Sequence, residues 1–341
     1  MNNSSQESYK VHAAGMNGRK ITASWLFVLP LLLLLTACAS LQTGEPADVI
    51  HEGVHSGGSA IVFSESGNFA ASGGWEGTVR LWQLPAGDEV LHWQAHADSV
   101  NGIAFVDDDR QIITAGFDGV LARRAIDGHL LERITTPAPI THMVADAQAD
   151  RLLTGHNDGT VRLWQASDFA LISEVSAHRG AVKAVAIAPG AGSFASSAAD
   201  GTVVLWDGAD RLTPLETPPA DAWTLAFSPD GRVLTGGSWF RLFRWDLASG
   251  IMTTIPTEHH GIIKSIEYTD NGNTLATISR QTDSAVYFMD PISGAVTRRF
   301  QRHDLCGGDL SVSPQGRYLA TTSDDASVRF WVLDGAGEQR R

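Results

Sequence analysis

A histidine, a hydroxyl and a carboxylate recur together along this chain: His178, Ser196 and Asp200, then His303, Thr321 and Asp325. These are the residue types of nucleophilic acyl transfer, where a base activates the hydroxyl and an acid holds the base in place. That chemistry needs one site, with an oxyanion hole beside one nucleophile. Here the trio is copied. His96, Thr114 and Asp118 repeat it, and His55, Ser72 and Glu76 repeat it with glutamate as the acid. A trio that returns in unit after unit is better explained as polar groups satisfying one another inside each unit. The twelve histidines read as repeat positions or surface, so no metal site is expected. No glycine-rich phosphate loop precedes a helix, and Gly236-Gly237 and Gly307-Gly308 fall in turn or strand positions. Neither a catalytic residue nor a cofactor is expected.

The elements that hold these residues follow a period near forty. The position closing each third apolar run is Trp82, Arg124, Trp164, Trp206, Trp245, Met289 and Trp331, at intervals of 42, 40, 42, 39, 44 and 42 residues. Within the first unit the runs are Ile61-Val62-Phe63, Phe69-Ala70-Ala71-Ser72 and Val79-Arg80-Leu81-Trp82. Ser66-Gly67-Asn68 and Glu76-Gly77-Thr78 fill the gaps, and acid-Gly between alternating runs signals a hairpin. A fourth run, such as Glu89-Val90-Leu91-His92-Trp93, precedes the next histidine. Each unit reads as one small antiparallel sheet. A single such sheet cannot bury both faces, so the copies must stack around an axis.

These residues resemble the WD-repeat family, over nearly all of residues 46–334. The resemblance implies an all-β, seven-bladed β-propeller of four-stranded antiparallel blades, with a hydrogen-bonded tetrad inside each blade. Carried over by position, full tetrads are expected in copy four (His178, Ser196, Asp200, Trp206) and copy seven (His303, Thr321, Asp325, Trp331), and in copy one with Glu76 (His55, Ser72, Trp82). Copy two has Arg124 for Trp. Copy three keeps Thr154, Asp158 and Trp164 without the histidine. Copy five keeps Thr235 and Trp245 with Trp239 at the acid position, and copy six has His260, Thr277 and Asp283 with Met289 for Trp. Residues 46–55 look like the outer-strand segment 86–96, and the last copy lacks an outer strand after Trp331. An N-terminal strand is therefore expected to close the last blade.

Ahead of the repeats, Arg19-Lys20, an apolar run from Trp25 to Leu35 and Leu35-Thr36-Ala37-Cys38 read as a secretory signal. The run is shorter than the roughly 20 residues that span a bilayer. Leu-Thr-Ala-Cys resembles the lipobox of bacterial lipoproteins. That implies a signal peptide over 1–37, lipidation of Cys38 and a tether over 38–47, with the propeller over 48–334 and a frayed tail over 335–341. Met16 offers a second start, with a more ordinary basic segment after it. Ala39 after the cysteine implies the outer membrane, facing the periplasm. Removing residues 1–37 takes away three cations and one anion, so the formal charge of −13 becomes −15. That balance argues against nucleic acid and against flat docking on anionic lipid. Cys306 is then the one remaining thiol, so stability must come from stacked blades.

What remains for function is the rim. The turn residue before each acid position includes Trp75 and Phe117, and Trp239 stands at the acid position itself. The start of the first strand offers Asn101, Thr141, Lys183, Trp223 and Lys264. Aromatics anchor interfaces. Trp75, Phe117, Trp223 and Trp239, with Asn101, Lys183 and Lys264, are the candidate partner-binding residues. The reading is a lipid-anchored, monomeric, non-catalytic scaffold for protein recognition. The alternatives are an enzyme or ligand binder using the central channel, or an envelope structural factor. The channel reading would need convergent ionisable residues, and the sequence offers scattered Lys183, Lys264 and Asp221.

Overall fold

A computed structural model describes residues 44–333 except 147, 191, 208–211 and 282. Every described residue lies in one compact unit. The expected signal sequence, Cys38, the first part of the expected tether and the expected tail therefore lie outside the described residues.

The described chain forms seven four-stranded antiparallel sheets, arranged as a seven-bladed β-propeller. Blade 1 runs Gly58–Phe63, Phe69–Gly74, Thr78–Gln83 and Asp88–Gln94 from the inner to the outer strand. Blades 2 to 6 repeat the order, with the inner strands Val100–Val106, Ile140–Asp146, Val182–Ile187, Thr224–Phe227 and Ile262–Thr269. A short 3₁₀ turn, Asp270–Gly272, follows the last of these. Blade 7 takes three strands from Gly307–Val312, Tyr318–Ser323 and Val328–Val332, and its outer strand from Val49–His51. The expected closure by the N-terminal segment is thus present.

The packing explains why a forty-residue unit folds only in company. Each of the seven apolar clusters lies between two adjacent blades. Ile61, Trp82, Ala320, Val328 and Phe330 join blades 7 and 1, and Leu153, Leu163, Val185, Phe194 and Trp206 join blades 3 and 4. Trp82, Trp206, Trp245 and Trp331 are among the largest fully buried side chains. Truncating a buried residue of that size costs about 3–5 kcal/mol. The repeating tryptophan is therefore a ring-wide packing device as well as a hydrogen-bond donor. The tight turns fit against the next blade just as closely. Gly159 has φ +84°, and a Cβ there would stand 2.3 Å from the carbonyl oxygen of His178.

One irregularity recurs at the axis. In six blades the inner strand carries a β-bulge near its start, with register slips at 58/60, 100/102, 140/142, 182/184, 263/265 and 307/310. The extra residues in the first five are Ser59, Asn101, Thr141, Lys183 and Lys264. A bulge re-aims a side chain out of the ladder. These positions therefore decide what faces the neighbouring blade and the central channel.

Candidate functional site

Blade 1 holds the complete tetrad. Trp82 Nε1–H donates to Ser72 Oγ at 2.9 Å, and Ser72 Oγ lies 2.9 Å from His55 Nε2. His55 Nδ1 lies 2.8 Å from Glu76 Oε1. A hydroxyl has one proton. Having accepted from the indole, Ser72 donates to Nε2, so the ring proton sits on Nδ1 and goes to Glu76. The hydroxyl oxygen is thus locked by two buried partners and is no free nucleophile. Against the cost of burial, hydrogen bonds from Thr78, His55 and Ser56 hold Glu76 down at about 2. Burial pushes His55 below its ordinary value, so the imidazole is neutral.

The other blades depart from the expected tetrads, each for a visible reason. In blade 4, Thr202 is inserted into the relay. His178 Nδ1 lies 2.6 Å from Thr202 Oγ1, which donates to Asp200 at 2.6 Å, while His178 and Asp200 stand 3.8 Å apart. Trp206 Nε1 is buried without a hydrogen-bond partner, its ring packed on Phe194, so this tetrad is incomplete. In blade 7, His303 lies 2.7 Å from Thr321 and 3.1 Å from Asp325, but Trp331 Nε1–H goes to the Glu45 carbonyl at 2.9 Å. In blade 5, Thr235 bonds the Tyr268 hydroxyl of the next blade, and Trp245 donates to the Glu216 carbonyl. In blade 6 the tetrad histidine is His259, 2.8 Å from Thr277, and not His260, whose backbone N–H donates to Asp283.

Blade 3 is the informative departure. It has a histidine after all. His156 lies 2.8 Å from Thr154 Oγ1, which also accepts from Trp164 Nε1–H at 2.9 Å. In blades 1 and 2 the residue two places after the hydroxyl is Gly74 or Gly116, where a Cβ would stand 2.5 or 2.4 Å from Nδ1 of the loop histidine. In blade 3 the loop position is Thr136 and the glycine position is His156. The ring enters the same space from the strand instead of the loop. The signal was present in the sequence as a paired exchange, histidine lost at 136 and gained at 156.

Two histidine pairs are spaced four apart, His51/His55 and His92/His96. On this scaffold they do not converge, because His55 and His96 are held in tetrads while His51 bonds the Gly87 carbonyl and His92 bonds Glu89. Among the described residues no three His, Cys, Asp or Glu are grouped to hold a metal ion.

The turns bearing the tetrad acids form one face of the disc. Trp75, Phe117 and Trp239 are exposed there, at 43, 36 and 36%. Sequence reasoning missed three companions. Phe240 is more exposed than Trp239 and lies 5.5 Å from it, ring to ring. Phe240 also has φ 61°, a conformation a bulky side chain rarely takes. Leu305 is exposed in the loop leading into blade 7. Arg280 bonds Asp324 at 3.0 Å and stands 5.5 Å from the Trp75 ring centre.

The remaining candidates sit elsewhere. Lys183 is ion-paired to Asp221 and rests 3.7 Å over the Trp223 ring. Trp223 is half-buried and its indole N–H has no partner. Asn101 donates to the Ile140 carbonyl of the next blade at 2.8 Å. Lys264 lines the central channel. None of these four is a projecting anchor of the turn face; Asn101, Lys183 and Lys264 are bulge residues, and Trp223 precedes the inner strand of blade 5. That channel also gathers His142, Glu267 and Asp309, a convergence the sequence did not reveal.

The family profile described as "WD domain, G-beta repeat" matches residues 50–83, 87–122, 124–165, 169–207 and 295–332, together more than half of the chain. The unmatched stretch holds most of blades 5 and 6, whose tetrads are rebuilt around Tyr268 and His259. Cilia- and flagella-associated protein 52 of Mus musculus is 23% identical over 262 residues, 74% of this chain and 42% of that protein. Striatin-4 of Homo sapiens is 23% identical over 281 residues, 71% of this chain and 36% of that protein. WD repeat-containing protein SL1-17 of Schistosoma mansoni is 30% identical over 190 residues, 54% of this chain and 62% of that protein. The chain thus spans less than two thirds of each of these relatives.

Proposed function

This chain belongs to the WD-repeat family, and on that premise we propose that it is a non-catalytic scaffold, anchored to a bacterial membrane through lipid on Cys38, that recognises a protein partner with its turn face. The observation that carries the recognition half is the cluster of exposed aromatics on that face, above all the Trp239–Phe240 pair. These rings sit on turns of a closed ring of sheets, so little order must be gained on binding. Aromatic side chains combine large contact area with few rotors, which is why they dominate the centres of interfaces. Phe240 is held out at a positive φ rather than folded inward, and strain of that kind collects at functional positions.

The anchoring half rests on Leu35-Thr36-Ala37-Cys38 after a basic and apolar segment. More than one acyl chain makes attachment stable where a single chain is marginal. Ala39 favours the outer membrane, with the disc in the periplasm. The tetrads are structural in this reading, because their hydroxyls and rings are consumed by one another. The experiment is recovery of partners by the full-length protein from detergent-solubilised envelopes, comparing the wild type with a Trp239→Ala, Phe240→Ala double variant of equal thermal stability. Equal recovery by both would reject the turn face as the recognition surface.

A further inference from the structure

The central channel encloses about 680 Å³, within the range of small-molecule sites. Its wall is uneven in one respect. The polar groups of the other bulge residues around the axis are bonded: Ser59 donates to the Val100 carbonyl at 2.5 Å, Asn101 to the Ile140 carbonyl and Lys183 to Asp221, each reaching toward the next blade, and Thr141 donates within its own blade to the Gly155 carbonyl at 3.0 Å. Lys264 occupies the same bulge position in blade 6. Its ammonium makes no hydrogen bond or ion pair among the described residues, and the half-buried side chain lines the channel. A half-buried ammonium without a protein acceptor is placed to meet an acceptor in the channel.

The acid that acts on Lys264 most strongly makes no ion pair with it. Asp309 is close enough to act on Lys264 electrostatically. Its oxygens accept backbone N–H groups, Oδ2 from Ile61 at 3.1 Å and Oδ1 from Leu310 at 2.9 Å. Three further donors share the channel wall. His142 Nδ1 accepts the Val185 N–H at 3.3 Å, which leaves its proton on Nε2, with no acceptor among the described residues. Trp223 Nε1–H is buried without a partner. Burial pushes Glu267 up to about 8, so it carries a proton at neutral pH. A small site with one unpaired cation and a surplus of donors is the complement of an oxyanion.

We propose that the channel at Lys264 binds a small molecule bearing a carboxylate or phosphate group, held by the Lys264 ammonium with His142 and Trp223 as neutral donors. Glu65, Asp107, Asp108 and Asp109 line the channel at the other end of the inner strands, where their negative charge disfavours an anion. This site is independent of the turn-face reading, since none of the exposed aromatics Trp75, Phe117, Trp239 or Phe240 belongs to it.

The test is isothermal titration of the full-length protein in non-ionic detergent with citrate, with inorganic phosphate and, as a charge-reversed control, with tetramethylammonium. Saturable binding of citrate, phosphate or both, at one site per chain, is expected, and the anion that binds assigns the chemistry. Lys264→Met should weaken that binding tenfold or more, whereas Lys183→Met should leave it within about threefold, because Lys183 is already paired. Should Lys264→Met fail to fold, Trp223→Phe removes one donor and keeps the ring, and a loss of several-fold is expected. Absence of saturable binding by either anion, or affinity unchanged in both Lys264→Met and Trp223→Phe, would overturn the proposal.

Discussion

Trp331 Nε1–H donates to the backbone carbonyl of Glu45 at 2.9 Å, across 286 residues of chain. The same carbonyl accepts from Gln301 N–H at 2.8 Å, and the Glu45 carboxylate grips Arg298 at 2.6 and 2.9 Å. A Cβ on Gly44 would stand 2.2 Å from the Phe300 carbonyl, so the segment is seated tightly between blades 6 and 7. The tryptophan that would have completed the blade 7 tetrad is thus spent on closing the ring. Without that segment, Val328–Val332 would present an unpaired edge.

Closure should therefore be measurable in stability. Trp331→Phe keeps most of the buried ring and removes the N–H, and should cost about 1 kcal/mol. Deleting residues 44–54 should cost several times more, because a strand and its packing go together. Thermal melts of both variants beside the wild type check this, and equal midpoints for the deletion and the wild type would show that Val49–His51 does not hold the ring.

The histidine of blade 3 allows a double-variant test. His156→Gly should destabilise by about 1–3 kcal/mol, since Thr154 loses a buried partner. Adding Thr136→His to His156→Gly restores the arrangement of blades 1 and 2, and should recover much of that loss. Chemical denaturation of the two single variants and the double variant gives the coupling. Purely additive effects would mean that positions 136 and 156 do not serve one space.

The histidines also set an acid limit. Burial lowers His55, His96, His178 and His303 from 6.5, and brings His156 to about 4. The unfolded chain then takes up these protons first as the pH falls below about 6.5, so folding stability should decline from there downward. Glu267 acts in the opposite sense. Its folded value of about 8 lies above the ordinary 4.5, so its contribution is full below 4.5 and is lost as the pH rises through 8. Glu267→Gln should accordingly gain stability relative to the wild type between about pH 5 and 8. A difference between the two that stays constant over that range would contradict the assignment.

Much of the fold was legible because the repeat is periodic and its turn residues are specific. The period of Trp82, Trp164, Trp206, Trp245 and Trp331 predicts the blades, and the likeness of residues 46–55 to 86–96 predicts the closing strand. The partners of individual side chains were less legible. Nothing in local spacing says that Thr202 will enter the His178–Asp200 relay, or that Tyr268 of blade 6 will reach Thr235 of blade 5. The channel was hidden for the same reason. Lys264, His142 and Asp309 lie far apart in sequence and meet only because bulges and ring closure bring three inner strands to one axis.

Anchoring makes a separate prediction. Cys38→Ser should yield an unprocessed precursor or a soluble domain, and should lose incorporation of labelled fatty acid. The expectation follows from the lipobox-like Leu35-Thr36-Ala37-Cys38. Unchanged processing and unchanged labelling would remove the membrane from the account.

The central claim is that a protein partner docks on the turn face. It is tested most directly by placing a photo-crosslinking amino acid at Trp239, and in a second variant at Ile292, which is 71% exposed on a turn at the opposite end of the strands. Irradiation of intact envelopes should give a discrete adduct of higher mass from position 239 and none from position 292. An adduct from position 292 with none from position 239 would contradict the account.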